Sequence, residues 1–336
     1  LSFAVSSVYE RGMFVKALVF HEFGGPEVLH VEELPDPIPA ADEVLVRVEA
    51  IGLNFADIYR RRGNYHLVGR PPYILGYEGA GVVVEAGAGA QAWKKGDRVA
   101  FADVPHANAE LVRVPADRAI PLPDEINFEQ AAAVLLQGLT AHYLVNDSFR
   151  VAPGDEVLVH AAAGGVGQLL VQLAAAKGAR VLGLTSSAAK RQAALQAGAD
   201  EVLLYGPNWA SEARQWSGSG DGVSVAYDSV GSTLMDSFAA VRTRGAVVFY
   251  GMAGGDPAPV DPRMLMDTSK TLTGGDLWNH VTTQEERIRR SGELFGRIRE
   301  GSLKLADIRS FALSDGADAH RLLESRLHSG KIVLIP

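Results

Sequence analysis

A chain of 336 residues, 47% hydrophobic and 21% charged, is long enough for two domains with cores of their own. It contains no cysteine, which excludes disulfides, thiolate nucleophiles, iron–sulfur clusters and zinc sites built on cysteine sulfur. The formal charge of −8 argues against a broad nucleic-acid surface, and no apolar run nears the ~20 residues of a bilayer span, so a soluble protein is expected.

Residues 1–12 read as an N-terminal extension, disordered or of vector origin; an export signal would need a basic first segment that is missing. A β pattern begins after Met13, at 14–20. Up to Gln137 the chain reads as short strands between glycines and prolines, at 43–51, 79–85, 98–101 and 109–114, which suggests a β-rich, partly open barrel. An alanine-rich helix follows through 144. From there strands at 157–161, 180–185, 201–205, 223–228, 246–251 and 271–274 alternate with helices at 167–177, 190–197, 209–216 and 234–241. Six strands with crossover helices imply a doubly wound parallel α/β sheet. A long helix at 285–300 and a last strand at 331–335 are expected to return to the first domain. The expected division is therefore 13–137 plus 285–336 for one domain and 138–284 for the other.

The segment from His160 to Gly167 (HAAAGGVG) follows an apolar strand and opens a helix. Ala162 replaces the first glycine of a dinucleotide turn, while Gly164 and Gly167 hold the other two places. Gly164 would let a pyrophosphate approach the backbone and Gly167 would let the helix pack on its strand, with Gly165 and Val166 offering amides at the helix N-terminus. The second strand ends in Thr185-Ser186-Ser187 with Lys190 beyond, and has no carboxylate to hold a ribose diol. Ser186, Ser187 and Lys190 suit a 2′-phosphate, so NADPH is the expected cofactor, with Tyr205 covering the adenosine side. His106 and the other eight histidines show no ligand spacing along the chain, and no metal is expected.

Several spaced motifs then carry a family resemblance: His21 to Leu29 (HEFGGPEVL), Gly52 to Asp57 (GLNFAD), Gly76 to Gly81 (GYEGAG), Gln137 to Ala141 (QGLTA), the glycine turn, Tyr227 to Gly231 (YDSVG) and Gly330 to Leu334 (GKIVL). From Met13 to Pro336 the chain resembles the medium-chain dehydrogenase/reductases, and within them the zinc-free quinone oxidoreductases related to zeta-crystallin. The resemblance implies a Rossmann domain inserted into a GroES-like catalytic domain made from both chain ends. In the zinc branch the position of Asn54 carries a cysteine and that of Tyr77 a histidine; both are missing here, and Glu78 alone is a poor zinc site.

By the same resemblance, Asn54, Phe55, Asp57 and Tyr59 form the loop under the nicotinamide and the acceptor pocket, with Tyr65 at its wall. Asn54, Asp57, Tyr59 and Tyr65 are the catalytic candidates; turn capping for Asn54 and Asp57 and core filling for the tyrosines are the competing roles. Thr140, Tyr143, Ser229, Tyr250, Gly251, Met252 and Arg326 are the further cofactor contacts, Arg326 reaching the 2′-phosphate. The expected activity is metal-free reduction of quinones by NADPH. Reduction of alkenals, enones or enoyl-thioesters is the alternative, and a non-catalytic NADPH-binding structural or RNA-binding protein is the alternative of another class. The resemblance also implies a cytoplasmic homodimer, pairing Rossmann edges near Thr271–Thr273 and 246–249, without membrane contact.

Overall fold

The computed structural model describes residues 14–336, so the expectation for 1–12 lies outside the described residues. The chain divides into two compact units. The first comprises residues up to Ala132, Ser310–Ser325 and Ile332–Pro336; the second comprises Ala133–Arg309 and Arg326–Lys331. The second is thus inserted into the first, but the stretch 285–309 falls with the second unit, where the sequence reading had grouped it with the first.

The first unit begins with β1 (Phe14–Phe20), β2 (His30–Pro35), β3 (Glu43–Leu53), α1 (Phe55–Arg61), β4 (Tyr73–Ile74), β5 (Glu78–Ala86), β6 (Arg98–Ala102), β7 (Leu111–Pro115) and β8 (Ala119–Pro121). β2, β1 and β4 form a three-stranded antiparallel sheet. β3 is the hub of a larger sheet because its apolar residues bury along almost its whole length; it pairs antiparallel with β5 and β7. Ala17, Phe20, Val46, Ile51, Leu75 and Phe101 sit in one continuous core.

α2 (Phe128–Tyr143) carries the boundary between the units. The second unit continues with β9 (Glu156–Val159), α3 (Gly165–Ala176), β10 (Arg180–Thr185), α4 (Ala188–Gln196), β11 (Glu201–Leu204), α5 (Trp209–Trp216), β12 (Val223–Asp228), α6 (Leu234–Ala240), β13 (Val241–Phe249), α7 (Pro262–Thr268), β14 (Thr271–Gly274) and α8 (Gln284–Arg299). The six strands form a parallel sheet in the order β11-β10-β9-β12-β13-β14. β10, β12 and β14 match the expected spans. β13 starts five residues early because its register slips between Val223 and Val225 of its partner, and the extra residues include Arg244 at φ 63°. β14 is the edge; 246–249 is not, since β13 pairs on both sides.

The chain closes with β15 (Ile308–Ala312), α9 (Gly316–Ser325) and β16 (Lys331–Ile335). β16 pairs Ile332 with Leu53 and Val333 with Gly52, so the chain terminus braces the strand that leads into the Asn54 loop. Among the described residues no helix is long and apolar enough to cross a membrane.

Candidate active site

In the first unit, Asn54 ends β3 and caps α1. Its backbone amide donates to Asp57 Oδ2 at 2.9 Å, and its side-chain amide donates to Glu78 Oε1 at 2.7 Å. Glu78 is fully buried and reaches Asn54 because residue 52 has no side chain: a Cβ there would lie 2.1 Å from Glu78 Oε1 and 2.3 Å from the Ala132 carbonyl. Asp57 is also buried and faces Arg60, whose guanidinium lies 3.4 Å away and rests 3.6 Å above the Tyr77 ring. Asn54 and Asp57 therefore hold the loop in shape by capping and pairing. Asn54 and Tyr77 occupy the places of two metal ligands in the zinc branch; here an amide bonds Glu78 and a cation covers Tyr77.

Phe55, Tyr59 and Tyr65 are half-buried and adjoin one another, with ring centroids 6.4 Å apart for both successive pairs and an edge-on approach between the tyrosines. Arg60 lies 5.1 Å from the Tyr65 centroid as well. Arg60, three residues after Asp57 on a short helix, is the partner that i,i+3 spacing points to.

In the second unit, β9 and β12 lie side by side while β10 and β13 lead off in opposite directions, which makes the carboxyl ends of β9 and β12 a topological switch point where open sheets bind ligands. The glycine turn sits there. Ala161 takes a left-handed conformation at φ 47°, Gly164 N–H donates back to the Ala161 carbonyl at 2.8 Å, and Gly164 caps the twelve-residue α3. A Cβ on Gly167 would fall 2.2 Å from the Ala161 oxygen, whereas one on Gly164 meets only that atom, at 3.2 Å. Gly167 is thus the packing glycine and Gly164 the open one.

A hydrogen-bond chain holds this turn from behind. Ser237 Oγ donates to Asp228 Oδ2 at 2.7 Å, so it accepts from His160 Nε2 at 3.0 Å; His160 Nδ1 then accepts from the Tyr205 hydroxyl at 3.0 Å, and Tyr205 accepts from Ala161 N–H at 3.2 Å. Burial pushes the His160 pKa down, keeping the ring neutral, and pushes that of Tyr205 up, keeping its proton. Burial also pushes the Asp228 carboxyl up, but neighbouring His160, the Ser237 hydroxyl and the Gly231 and Val230 amides outweigh it and hold the group below its usual value. Tyr205, expected to cover the adenosine side, commits its hydroxyl to the turn. His160 and Asp228, both within the spaced sequence motifs, anchor the turn from behind through Ser237.

Beside the turn, Ser186 is exposed, Ser187 and Lys190 are half-exposed, and Arg326 donates to the Ala253 carbonyl from a left-handed backbone at φ 56°. The Lys190 pKa is pushed down, first by burial and then by the Arg326 charge. Neither cation pairs with a carboxylate among the described residues. Ser229 and the stretch from Tyr250 to Met252 form adjoining turns after β12 and β13, tied by Ala253 N–H to the Ser229 carbonyl at 3.1 Å.

Two α2 residues complete the set of expected cofactor contacts. Thr140 is half-exposed and its hydroxyl donates to the Leu136 carbonyl at 2.8 Å. Tyr143, expected against the cofactor, is 1% exposed and stacks on His280 at 4.3 Å, which leaves no surface for a ligand; it is a core residue.

The alcohol dehydrogenase GroES-like domain family matches residues 40–124, and the zinc-binding dehydrogenase family matches 165–289. A quinone oxidoreductase of Salmonella typhimurium is 41% identical over 94% of this chain and 98% of its own length. A 2-haloacrylate reductase of a Burkholderia species is 36% identical over 96% of this chain and 99% of its own. The solved Escherichia coli quinone oxidoreductase complexed with NADPH superposes with a TM-score of 0.91 at 39% identity, covering 96% of this chain and all of that one. The chain belongs to the quinone oxidoreductases of the medium-chain dehydrogenase/reductase superfamily.

Proposed function

We propose that the protein is an NADPH-dependent quinone reductase that uses no metal. The observation that carries this reading is the pair Lys190 and Arg326, two cations held near each other and beside a glycine turn without a carboxylate of their own. Gly164, Gly165, Val166 and Gly167 would hold the pyrophosphate at the α3 N-terminus, with Ser186, Ser187, Lys190 and Arg326 on the 2′-phosphate. Ser229, Tyr250, Gly251 and Met252 would border the site. When bound, NADPH supplies a hydride from its nicotinamide.

The aromatic group Phe55, Tyr59 and Tyr65 offers flat apolar surface to a quinone ring. No side chain has to deliver a proton, because the phenolate formed from the quinone is stable enough to take one from solvent. The similarity to a 2-haloacrylate reductase favours a second substrate class, activated alkenes. These need a proton at carbon, for which the Tyr59 hydroxyl is the candidate donor.

Steady-state oxidation of NADPH and NADH with ortho- and para-quinones and with enones tests both readings. Quinone turnover with preference for NADPH is expected. Turnover with no quinone sinks the first reading, and tight NADPH binding without any turnover would favour a non-catalytic protein. Tyr59→Phe should abolish any enone reduction while sparing quinones. With this reading go a cytoplasmic location and a homodimer through the exposed β14 edge; a monomer in light scattering would contradict the latter.

A further inference from the structure

The antiparallel register of β1 and β2 assembles a group of side chains that spacing along the chain does not reveal. Val19 pairs with His30 and Ala17 with Glu32, so His30 and Glu32 share a face and His21 lies two residues beyond Val19. His21 Nε2 and His30 Nε2 both reach Glu32 Oε1, at 2.7 and 2.8 Å, and their rings lie 5.7 Å apart and within 13° of parallel. All three ligand atoms fall within 4.8 Å of one another.

We propose that His21, His30 and Glu32 form a surface binding site for a divalent transition-metal ion of the zinc class. The ligand chemistry is two imidazole nitrogens and one carboxylate oxygen, which suits zinc with water in the remaining position. His30 is already oriented as a ligand: its Nδ1 lies 3.2 Å from the Val28 carbonyl, so that nitrogen carries the proton and Nε2 is left for a metal. Ligand atoms about 2.0–2.1 Å from zinc stand about 3.3 Å apart, and exposed side chains open by that half ångström at little cost. The site shares no residue with the Asn54–Glu78 pair, and its ion would clamp β1 to β2 without taking part in reduction.

The test is calorimetric titration of the full chain with zinc chloride in a non-chelating buffer, with thermal melting alongside. One equivalent should bind and raise the melting temperature. His21→Asn, His30→Asn and Glu32→Gln should each weaken binding at least about tenfold and remove the thermal shift, while His66→Asn, in an exposed loop, should change neither. The variants alter exposed groups, so their melting without metal should match the parent. Absence of one-to-one binding, or binding that survives the His21→Asn/His30→Asn double variant, would overturn the proposal.

Discussion

The loop at Asn54 and the turn at Gly164 are the places in each unit where the sequence motifs converge, and their polar groups are in opposite conditions. In the first unit the Asn54 amide is spent on Glu78, and Asp57 on the Asn54 amide and Arg60. In the second, Lys190 and Arg326 pair with no carboxylate among the described residues, and α3 starts at Gly164 without a side-chain cap. A region whose donors and acceptors already match each other resists change and shapes what lies beside it. A region left with surplus positive charge gains most when a ligand supplies the negative one. On the proposed function, the first loop would supply rigidity and the second the binding energy.

Asp57→Ala would sharpen that contrast most. It strands the buried Arg60 without its carboxylate and removes the acceptor for the Asn54 amide, so about 3–5 kcal/mol of stability should be lost, read from denaturant unfolding. Activity per folded molecule should change little. If stability held and kcat collapsed, Asp57 would be catalytic and the contrast would break. Gly167→Ala attacks the other side. Its Cβ would lie 2.2 Å from a backbone oxygen that the His160 chain holds in place, and displacing it costs about 3 kcal/mol. NADPH binding, followed by fluorescence, should be lost with it, whereas Gly164→Ala should weaken binding in a protein that remains folded.

Much of this was legible in the residues because the second unit obeys local rules. Its strands are continuous apolar runs between turn signals, and β10, β12 and β14 fall where those signals put them. The pairs that decide roles were not legible, since they join residues far apart in the chain: Asn54 with Glu78, His160 with Ser237 and Asp228, Tyr143 with His280, His21 with His30 and Glu32. Tyr143 shows the limit plainly. Its place in the linker helix suggested a ligand contact, and only the structure shows its ring buried against a histidine far along the chain. The slipped register of β13 was equally invisible, because a bulge depends on the partner strand.

The charge surplus near the turn makes a graded prediction. Removing one cation that meets a phosphate costs about 1.5–3 kcal/mol, so Arg326→Ala should raise the KM for NADPH about 10–100-fold with little change for NADH. Lys190→Ala should act in the same direction but less, since an ammonium lacks the planar fork. Equal losses for both nucleotides would mean that the pair supports the fold and reads no 2′-phosphate.

The smallest effect concerns two buried histidines, one per unit, whose neighbours differ in sign. His320 in the first unit sits 3.0 Å from the Arg61 guanidinium, and burial together with that charge pushes its pKa down to about 3. His160 in the second unit is pushed down by burial, but the Asp228 carboxylate works against the shift. A histidine kept neutral in the fold stabilises it above its unfolded pKa of 6.5. As pH falls below that value the unfolded chain takes up a proton that the native state refuses, so stability falls between 6.5 and about 3. For His320 the loss from pH 6.5 to about 5 is roughly 1.5 kcal/mol. Replacing it, as His320→Gln, should flatten the acid limb of an unfolding series by about that amount, and His160→Gln should flatten it less. The reverse order would mean that Asp228 does not offset burial at His160, and that the electrostatic difference between the units does not extend to their cores.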